Sequence, residues 1–245
     1  YNKLNNDQSL PLFNNATQAQ KAPGSTFKPI IAVAALEEGV IGLNDTVNCT
    51  GIYKEITPAL RCWIYPGQHG PLDVVHGIQN SCNVFFSEMG HRLSMDENGN
   101  YSPELGIEKI RKYASMFGLD ETSGIEIAER EPQMTTEKPE ASSIGQGKNS
   151  YSNIQLSRYI TAVANKGTVF KLSLLDKMTD SQGNLLKDFT PEVRSTIDVK
   201  DSTWNAVHTG MRRVISDGSA RKIFSDLEVD IAGKTGTAEE IKNGH

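Results

Sequence analysis

A serine and a lysine stand three apart in KAPGSTFKPIIAVAALEEG, residues 21–39, at the front of an apolar run. A serine hydroxyl is a weak nucleophile until a base takes its proton, and a lysine becomes such a base when burial lowers its pKa. A spacing of three puts Ser25 and Lys28 on one face of a helical turn. Two readings compete on this stretch alone. Ser25 suits an N-cap after Gly24, with Lys28 a solvated first-turn residue. Yet a first-turn lysine opposes the helix dipole, and Ile30 to Leu36 is apolar nearly all round, as in a buried helix.

Two later stretches decide between them. Ser81-Cys82-Asn83 falls at a break between two helix-like runs, and Lys234-Thr235-Gly236-Thr237 lies in VDIAGKTGTAEE, residues 229–240, which reads as a strand with glycines. Singly, Ser81 and Asn83 could be helix caps and Lys234 a solvated lysine on an edge strand. Ser-x-x-Lys, Ser-x-Asn and Lys-Thr-Gly in this order, each at a plausible break, read instead as one serine acyl-transfer site. The cap reading of Ser25 loses.

On these motifs the chain resembles the transpeptidase domain of penicillin-binding proteins. PLFNNATQAQKAPGSTFKP is similar to the family's approach to its nucleophile helix, and NSCNVFF to its second motif. SSIGQG (142–147) matches a glycine-rich stretch before a long helix, and DGSARKIF with DIAGKTGTAE the approach to the third motif. The Thr-Ala-Glu ending leans toward the monofunctional class B members. The resemblance implies a D,D-transpeptidase that acylates Ser25 with a D-Ala-D-Ala stem peptide and is acylated there by β-lactam antibiotics. It implies Lys28 as base, Ser81 as proton relay to the leaving amine, and Asn83 on the substrate's peptide carbonyl. Lys234, Thr235 and Thr237 would hold the substrate carboxylate, Gly236 would let the backbone approach, and the N–H groups of Ser25 and Thr237 would form the oxyanion hole. No cofactor and no catalytic metal are implied. The expected partners are peptidoglycan stem peptides, β-lactams and other cell-wall synthesis proteins. The expected location is the extracytoplasmic face of a bacterial membrane, with the anchor outside this chain.

The same motifs suit other enzymes of this superfamily. A serine β-lactamase must deacylate quickly, and no glutamate placed for that is evident. Ser81 and Lys234 are also 153 positions apart (234 − 81), longer than compact β-lactamases use. A non-catalytic β-lactam sensor and a D,D-carboxypeptidase complete the alternatives.

The elements that must position these residues follow from hydrophobic period and punctuation. Helices are expected at 26–38, closed by Gly39, at 72–79, 84–93, 104–117, 154–166 and 201–216. A hairpin is expected at 174–189 around TDSQGN. Residues 1–20, 40–71, 94–103 and 120–150 read as mostly irregular. Helices in the middle and strands at the end give an α/β (α+β) class. The resemblance narrows it to a central antiparallel sheet packed by helices, with a helical subdomain. It also implies one domain over 1–245, trimmed at both ends, whose open sheet edges would leave it poorly stable alone.

The 245 residues are 37% hydrophobic and 22% charged, ordinary globular composition with material for a sizeable core. A net charge of −5 without a strong basic cluster argues against nucleic acid. No apolar run is long enough to span a membrane. Three cysteines, Cys49, Cys62 and Cys82, are too few and odd for a disulfide framework. A Cys49–Cys62 bridge, plain reduced thiols, or a zinc site of Cys49, Cys62 and His69 with His76 or Cys82 as fourth ligand all remain open.

Overall fold

The computed structural model describes residues 1–224 and 228–237. Its helices in chain order are α1 (Asn2–Asn5), α2 (Lys28–Glu37), α3 (Val74–Gln79), α4 (Asn83–Leu93), α5 (Pro103–Met116), α6 (Pro139–Ser142), α7 (Asn153–Ala164), α8 (Asp201–Ser216) and α9 (Arg221–Phe224). Among the described residues the strands pair only in twos, all antiparallel. They are β1 (Gln20–Lys21) with β6 (Tyr151–Ser152), β2 (Val47–Cys49) with β5 (Gly70–Leu72), and β3 (Ile52–Tyr53) with β4 (Leu60–Arg61). The later pairs are β7 (Thr168–Lys171) with β10 (Glu192–Thr196) and β8 (Lys177–Thr179) with β9 (Leu185–Asp188). The class is α+β. The expected central sheet is not assembled among the described residues, and 228–237 are irregular where a strand was expected. Residues 238–240, the rest of that expected strand, lie outside the described residues.

Helix α2 is the axis of the molecule. Lys28 to Leu36 are all buried, which matches an apolar run without a polar face, and α2 packs against α3, α4, α5 and α8. Ile30, Ile31 and Val33 are fully buried, and each contributes about 1.5–3 kcal/mol of burial energy. The helix ends where the sequence turns to glycine. Gly39 takes φ +68°, its N–H donates to Leu36 O (3.3 Å), and Val40 N–H donates to Ala35 O (3.0 Å). That is a Schellman ending, which needs a left-handed residue at this position.

The break between α3 and α4 is built in the same way from a different residue. Ser81 N–H donates to Ile78 O (3.0 Å) and Cys82 N–H to Gly77 O (3.1 Å), so α3 also closes as a Schellman ending. Here Ser81 occupies the left-handed position, at φ +49°. A non-glycine residue there costs on the order of 1 kcal/mol, so the surroundings must hold it. Cys82 then caps α4 by accepting Phe85 N–H at its Sγ, 3.4 Å. Helix α8, whose Trp204, Val207, Met211 and Val214 are buried as their spacing predicts, lies across α3 with Gly210 against Ile78. Arg213 on α8 also donates to His76 Nε2 (2.8 Å), whose Nδ1 faces Asp73 (2.8 Å).

Candidate active site

Ser25 lies in a 3-10 turn, Gly24–Phe27, that runs directly into α2. Neither helix start uses its side chain as a cap, so the cap reading has no geometric support. The turn is held from several sides. Gly24 N–H donates to Gly145 O (3.0 Å), Tyr159 on α7 donates to Thr26 O (3.0 Å), and the Phe27 ring stacks with Tyr151. The glycine-rich stretch 142–147 is thus the wall behind the serine. Gly145, at φ +75°, leaves no room for a side chain, because a Cβ there would fall on the backbone of Gly24. Ser25 itself is half-buried.

Lys28 is fully buried and turns across to the α3–α4 break rather than along its own turn to Ser25. Its Nζ donates to Ser81 O (2.7 Å), Ser81 Oγ (3.3 Å) and Asn83 Oδ1 (2.7 Å), with the Phe86 ring centroid 5.5 Å away. Asn83 in turn donates its Nδ2 to Arg61 O (3.1 Å), which fixes the amide orientation. Ser81's left-handed backbone presents both its carbonyl and its hydroxyl to one ammonium. From the opposite side Lys234 Nζ donates to Ser81 Oγ (2.7 Å) and to Thr235 O (3.1 Å) and Oγ1 (3.3 Å). Two lysines therefore converge on a single hydroxyl.

Burial pushes Lys28 down to about 7. Burial, and then the charge of Lys28, push Lys234 down to about 6. Burial lowers Lys28, as its place at the head of an apolar run implies, and the like-charge effect falls on Lys234. A near-neutral amine beside one hydroxyl can both take and return a proton at physiological pH.

Gly236 lies against the nucleophile turn, where an added Cβ would stand 2.8 Å from Thr26 Cγ2. Thr237 is exposed at the end of the described segment. The structure thus gathers Lys28, Ser81, Asn83, Lys234 and Thr235 in one hydrogen-bonded group and sets Gly236 on the Ser25 turn. It does not bond Lys28 to Ser25. Two contacts were not foreseen: Trp63 Nε1–H to Asn80 O (2.8 Å) and Ser219 beside Thr235. The DGSAR turn before the third motif was the signal available for the second.

A cysteine cluster lies beside the second motif. Cys49 ends β2, Cys62 follows β4, His69 precedes β5 and Cys82 caps α4. Their four ligand atoms all lie within 4.8 Å of one another. Cys49 Sγ and Cys62 Sγ stand 3.5 and 3.6 Å from His69 Nδ1, and Cys62 Sγ is 3.9 Å from Cys82 Sγ. A tetrahedral zinc ion, with Zn–S of about 2.3 Å and Zn–N of about 2.05 Å, has S···N edges of about 3.6 Å and S···S edges of about 3.8 Å. The donor set and its spacing fit that ion. All three cysteines are free and buried, so of the three open alternatives the Cys49–Cys62 bridge is not formed. His76 is engaged by Asp73 and Arg213, and Cys82 is the fourth donor of the cluster. The hydrogen bond that the two thiols share holds Cys62 below and Cys82 above the usual thiol range.

Comparison with known proteins places the chain in a family. Peptidoglycan D,D-transpeptidase MrdA of Haemophilus influenzae is 29% identical over 263 residues, covering 98% of this chain and 38% of its own length. The chain thus spans well under half of that relative. A solved chain described under structural coordination of polymerization and crosslinking by a peptidoglycan synthase complex superposes with a TM-score of 0.85. It is 26% identical and covers 99% of this chain and 40% of its own. Pseudomonas aeruginosa PBP2 in complex with WCK 5153 superposes at 0.80, with 26% identity over 98% of this chain and 53% of its own. The profile of the penicillin binding protein transpeptidase domain matches residues 1–245, and the chain belongs to that family.

Proposed function

We propose that residues 1–245 act as the acyl-transfer domain of a peptidoglycan D,D-transpeptidase, in which Ser25 is the nucleophile. The observation that carries this reading is the convergence of Lys28 and Lys234 on the Ser81 hydroxyl, at 3.3 and 2.7 Å, beside the turn that holds Ser25. Lys28 in its neutral form accepts the Ser25 proton as Ser25 Oγ attacks the carbonyl of the penultimate D-alanine. The backbone N–H groups of Ser25 and Thr237 receive the developing oxyanion. As the C–N bond breaks, the proton passes from Lys28 through Ser81 Oγ to the leaving amine, and D-alanine departs. An amine from a second stem peptide then attacks the ester, gives up its proton by the same route, and restores Ser25. Lys234, Thr235 and Thr237 hold the terminal carboxylate, Asn83 meets the peptide carbonyl, and Gly236 keeps the third motif close to the nucleophile turn. A β-lactam follows the first half only, and its ester hydrolyses slowly.

Peptidoglycan lies outside the cytoplasmic membrane, so this chemistry belongs on the extracytoplasmic face. Other cell-wall synthesis proteins are the fitting partners, as for the similar chain from a peptidoglycan synthase complex. Cys49, Cys62, His69 and Cys82 would hold a structural zinc ion. That ion would fix the backbone on which Ser81 and Asn83 are mounted, and it takes no part in acyl transfer.

The test is labelling with a fluorescent penicillin followed by digestion and mass spectrometry. The expected adduct is a single one, on Ser25. An adduct on Ser81 would overturn the assignment.

A further inference from the structure

The third motif carries one more hydroxyl than acyl transfer, as described, requires. Ser219 Oγ lies 3.0 Å from Thr235 Oγ1. It stands in the turn that closes α8, and that turn is tied to the second motif as well. Ser219 N–H approaches Gln79 O at 3.4 Å, two residues before Ser81, and Ala220 N–H donates to Val214 O (3.0 Å). Gly218 comes so close to the same Gln79 carbonyl that a Cβ on it would stand 2.5 Å away. The turn therefore spans from α8 and the end of α3 to the Lys-Thr-Gly segment, and the exposed Ser219 is the residue through which it touches that segment.

Either hydroxyl could donate across this contact, and hydrogen-bond capacity sets what each direction would do. A threonine hydroxyl has one hydrogen to give and two lone pairs to receive. Lys234 Nζ occupies one lone pair of Thr235 at 3.3 Å. With a Ser219 hydrogen on the other, the Thr235 hydrogen has no acceptor inside this group and points away from both donors. In the reverse order Thr235 would spend its hydrogen on Ser219 and have none to offer an anion.

We propose that Ser219 is a specificity-determining positioning residue, which donates to Thr235 Oγ1 and so aims the Thr235 O–H at the terminal carboxylate of the substrate. The inference rests on the acyl-transfer reading above. It predicts a defect confined to carboxylate recognition. In the intact protein, penicillin acylation is resolved into a dissociation constant and a first-order acylation step. Ser219→Ala is expected to weaken the dissociation constant about tenfold, the scale of one hydrogen bond to a charged group, and to leave the acylation step within about twofold. Ser219→Thr, which keeps the hydroxyl, should restore wild-type binding. The methyl ester of the same penicillin should not distinguish wild type from Ser219→Ala. In the Thr235→Val background, Ser219→Ala should cause no further loss.

An unchanged dissociation constant in Ser219→Ala, an equal loss on the methyl ester, or additive losses in the double variant would each overturn the role. A wild-type protein that takes no penicillin overturns the acyl-transfer reading and this inference with it. A reactive wild type with an indifferent Ser219→Ala overturns this inference alone.

Discussion

Two walls face the nucleophile turn, and they are made differently. On one side stand the α3–α4 break and Gly145. Ser81 is buried and held in a left-handed conformation, Lys28 is fully buried, and Gly145 meets backbone directly. On the other side residues 231–237 run without a strand partner among the described residues. They are held by Gly233 N–H to Met211 O (3.1 Å), by Arg212 on Ile231 O (3.2 Å), and by the polar contacts of Lys234 and Thr235. The first wall is fixed by packing and by buried polar bonds that water cannot replace. The second is fixed by contacts at a partly exposed edge, where water competes. Precision in placing the proton-handling groups thus comes from the first wall, and the second wall can yield.

The largest break of that contrast is Lys28→Ala. It removes the proposed base and leaves Ser81 O and Asn83 Oδ1 without their shared donor. Acylation is expected to fall by about 10²–10⁴, the usual contribution of a positioned general base. The orphaned acceptors should also lower stability, by about 1–3 kcal/mol each where no water enters. Labelling and circular dichroism on the same sample separate the two effects. Normal labelling in a folded variant would remove Lys28 from the proton path.

The next test acts on the same wall without touching the polar group. Cys62→Ser, or zinc withdrawal by a strong chelator, should release one corner of the cluster whose other corner is Cys82. Mutating an outer-shell partner of a metal ligand typically costs about 10–100-fold in metal affinity, and loss of a ligand itself should cost at least that. The expected outcome is one equivalent of zinc in the wild type by atomic absorption, a substoichiometric amount in Cys62→Ser, and acylation slowed by roughly tenfold as Ser81 and Asn83 lose their mount. Full zinc retention in Cys62→Ser would remove that cysteine from the ligand set.

How far these walls were legible in the sequence follows from their construction. The all-round apolar run made α2 plain, and Gly39 marked a helix end that does take left-handed backbone. The NSCN break was readable as a break. Its mechanism was not, because nothing in the pattern says that a serine will fill the position glycine usually takes. The spacing of Ser25 and Lys28 suggested a direct pair; tertiary packing sends the lysine instead to a partner 53 residues later. The zinc-like cluster was half legible. Its cysteines were visible, but only folding distinguishes Cys82 from His76 as the fourth ligand. The pairs β1–β6 and β7–β10 were missed because strands of two to five residues carry too short a period to detect.

A milder test of the first wall uses pH. Burial holds Lys28 near 7, and in the proposed reaction the neutral amine is the form that accepts the serine proton. The depressed pKa means that the neutral form is populated above about 7 and is lost as pH falls. Acylation by penicillin should therefore be level above that point and decline toward tenfold per unit below it. An ordinary lysine would leave the amine charged, and the rate rising, up to about pH 10. A rate still climbing between pH 8 and 10 would contradict a buried, depressed Lys28.

The smallest expected effect comes from the wall that yields. Gly145 and Gly236 both press on the nucleophile turn, and a Cβ on either meets something. At Gly145 the obstacle is Gly24 backbone and the conformation is left-handed, so Gly145→Ala forces the turn itself to move. At Gly236 the near atom is Thr26 Cγ2 at 2.8 Å, the end of a side chain, with the next contact, Pro23 O, at 3.8 Å. Thr26 is half-buried and anchored through its Oγ1 to Pro23 O at 2.7 Å, so its methyl yields only by straining that bond. Gly236→Ala should therefore cost about 1 kcal/mol at most, seen as a roughly twofold to fivefold slower acylation with an unchanged melting temperature. Gly145→Ala should depress both. If Gly236→Ala destabilised the protein as much as Gly145→Ala, the third motif would be as rigidly seated as the second, and the contrast between the two walls would be wrong.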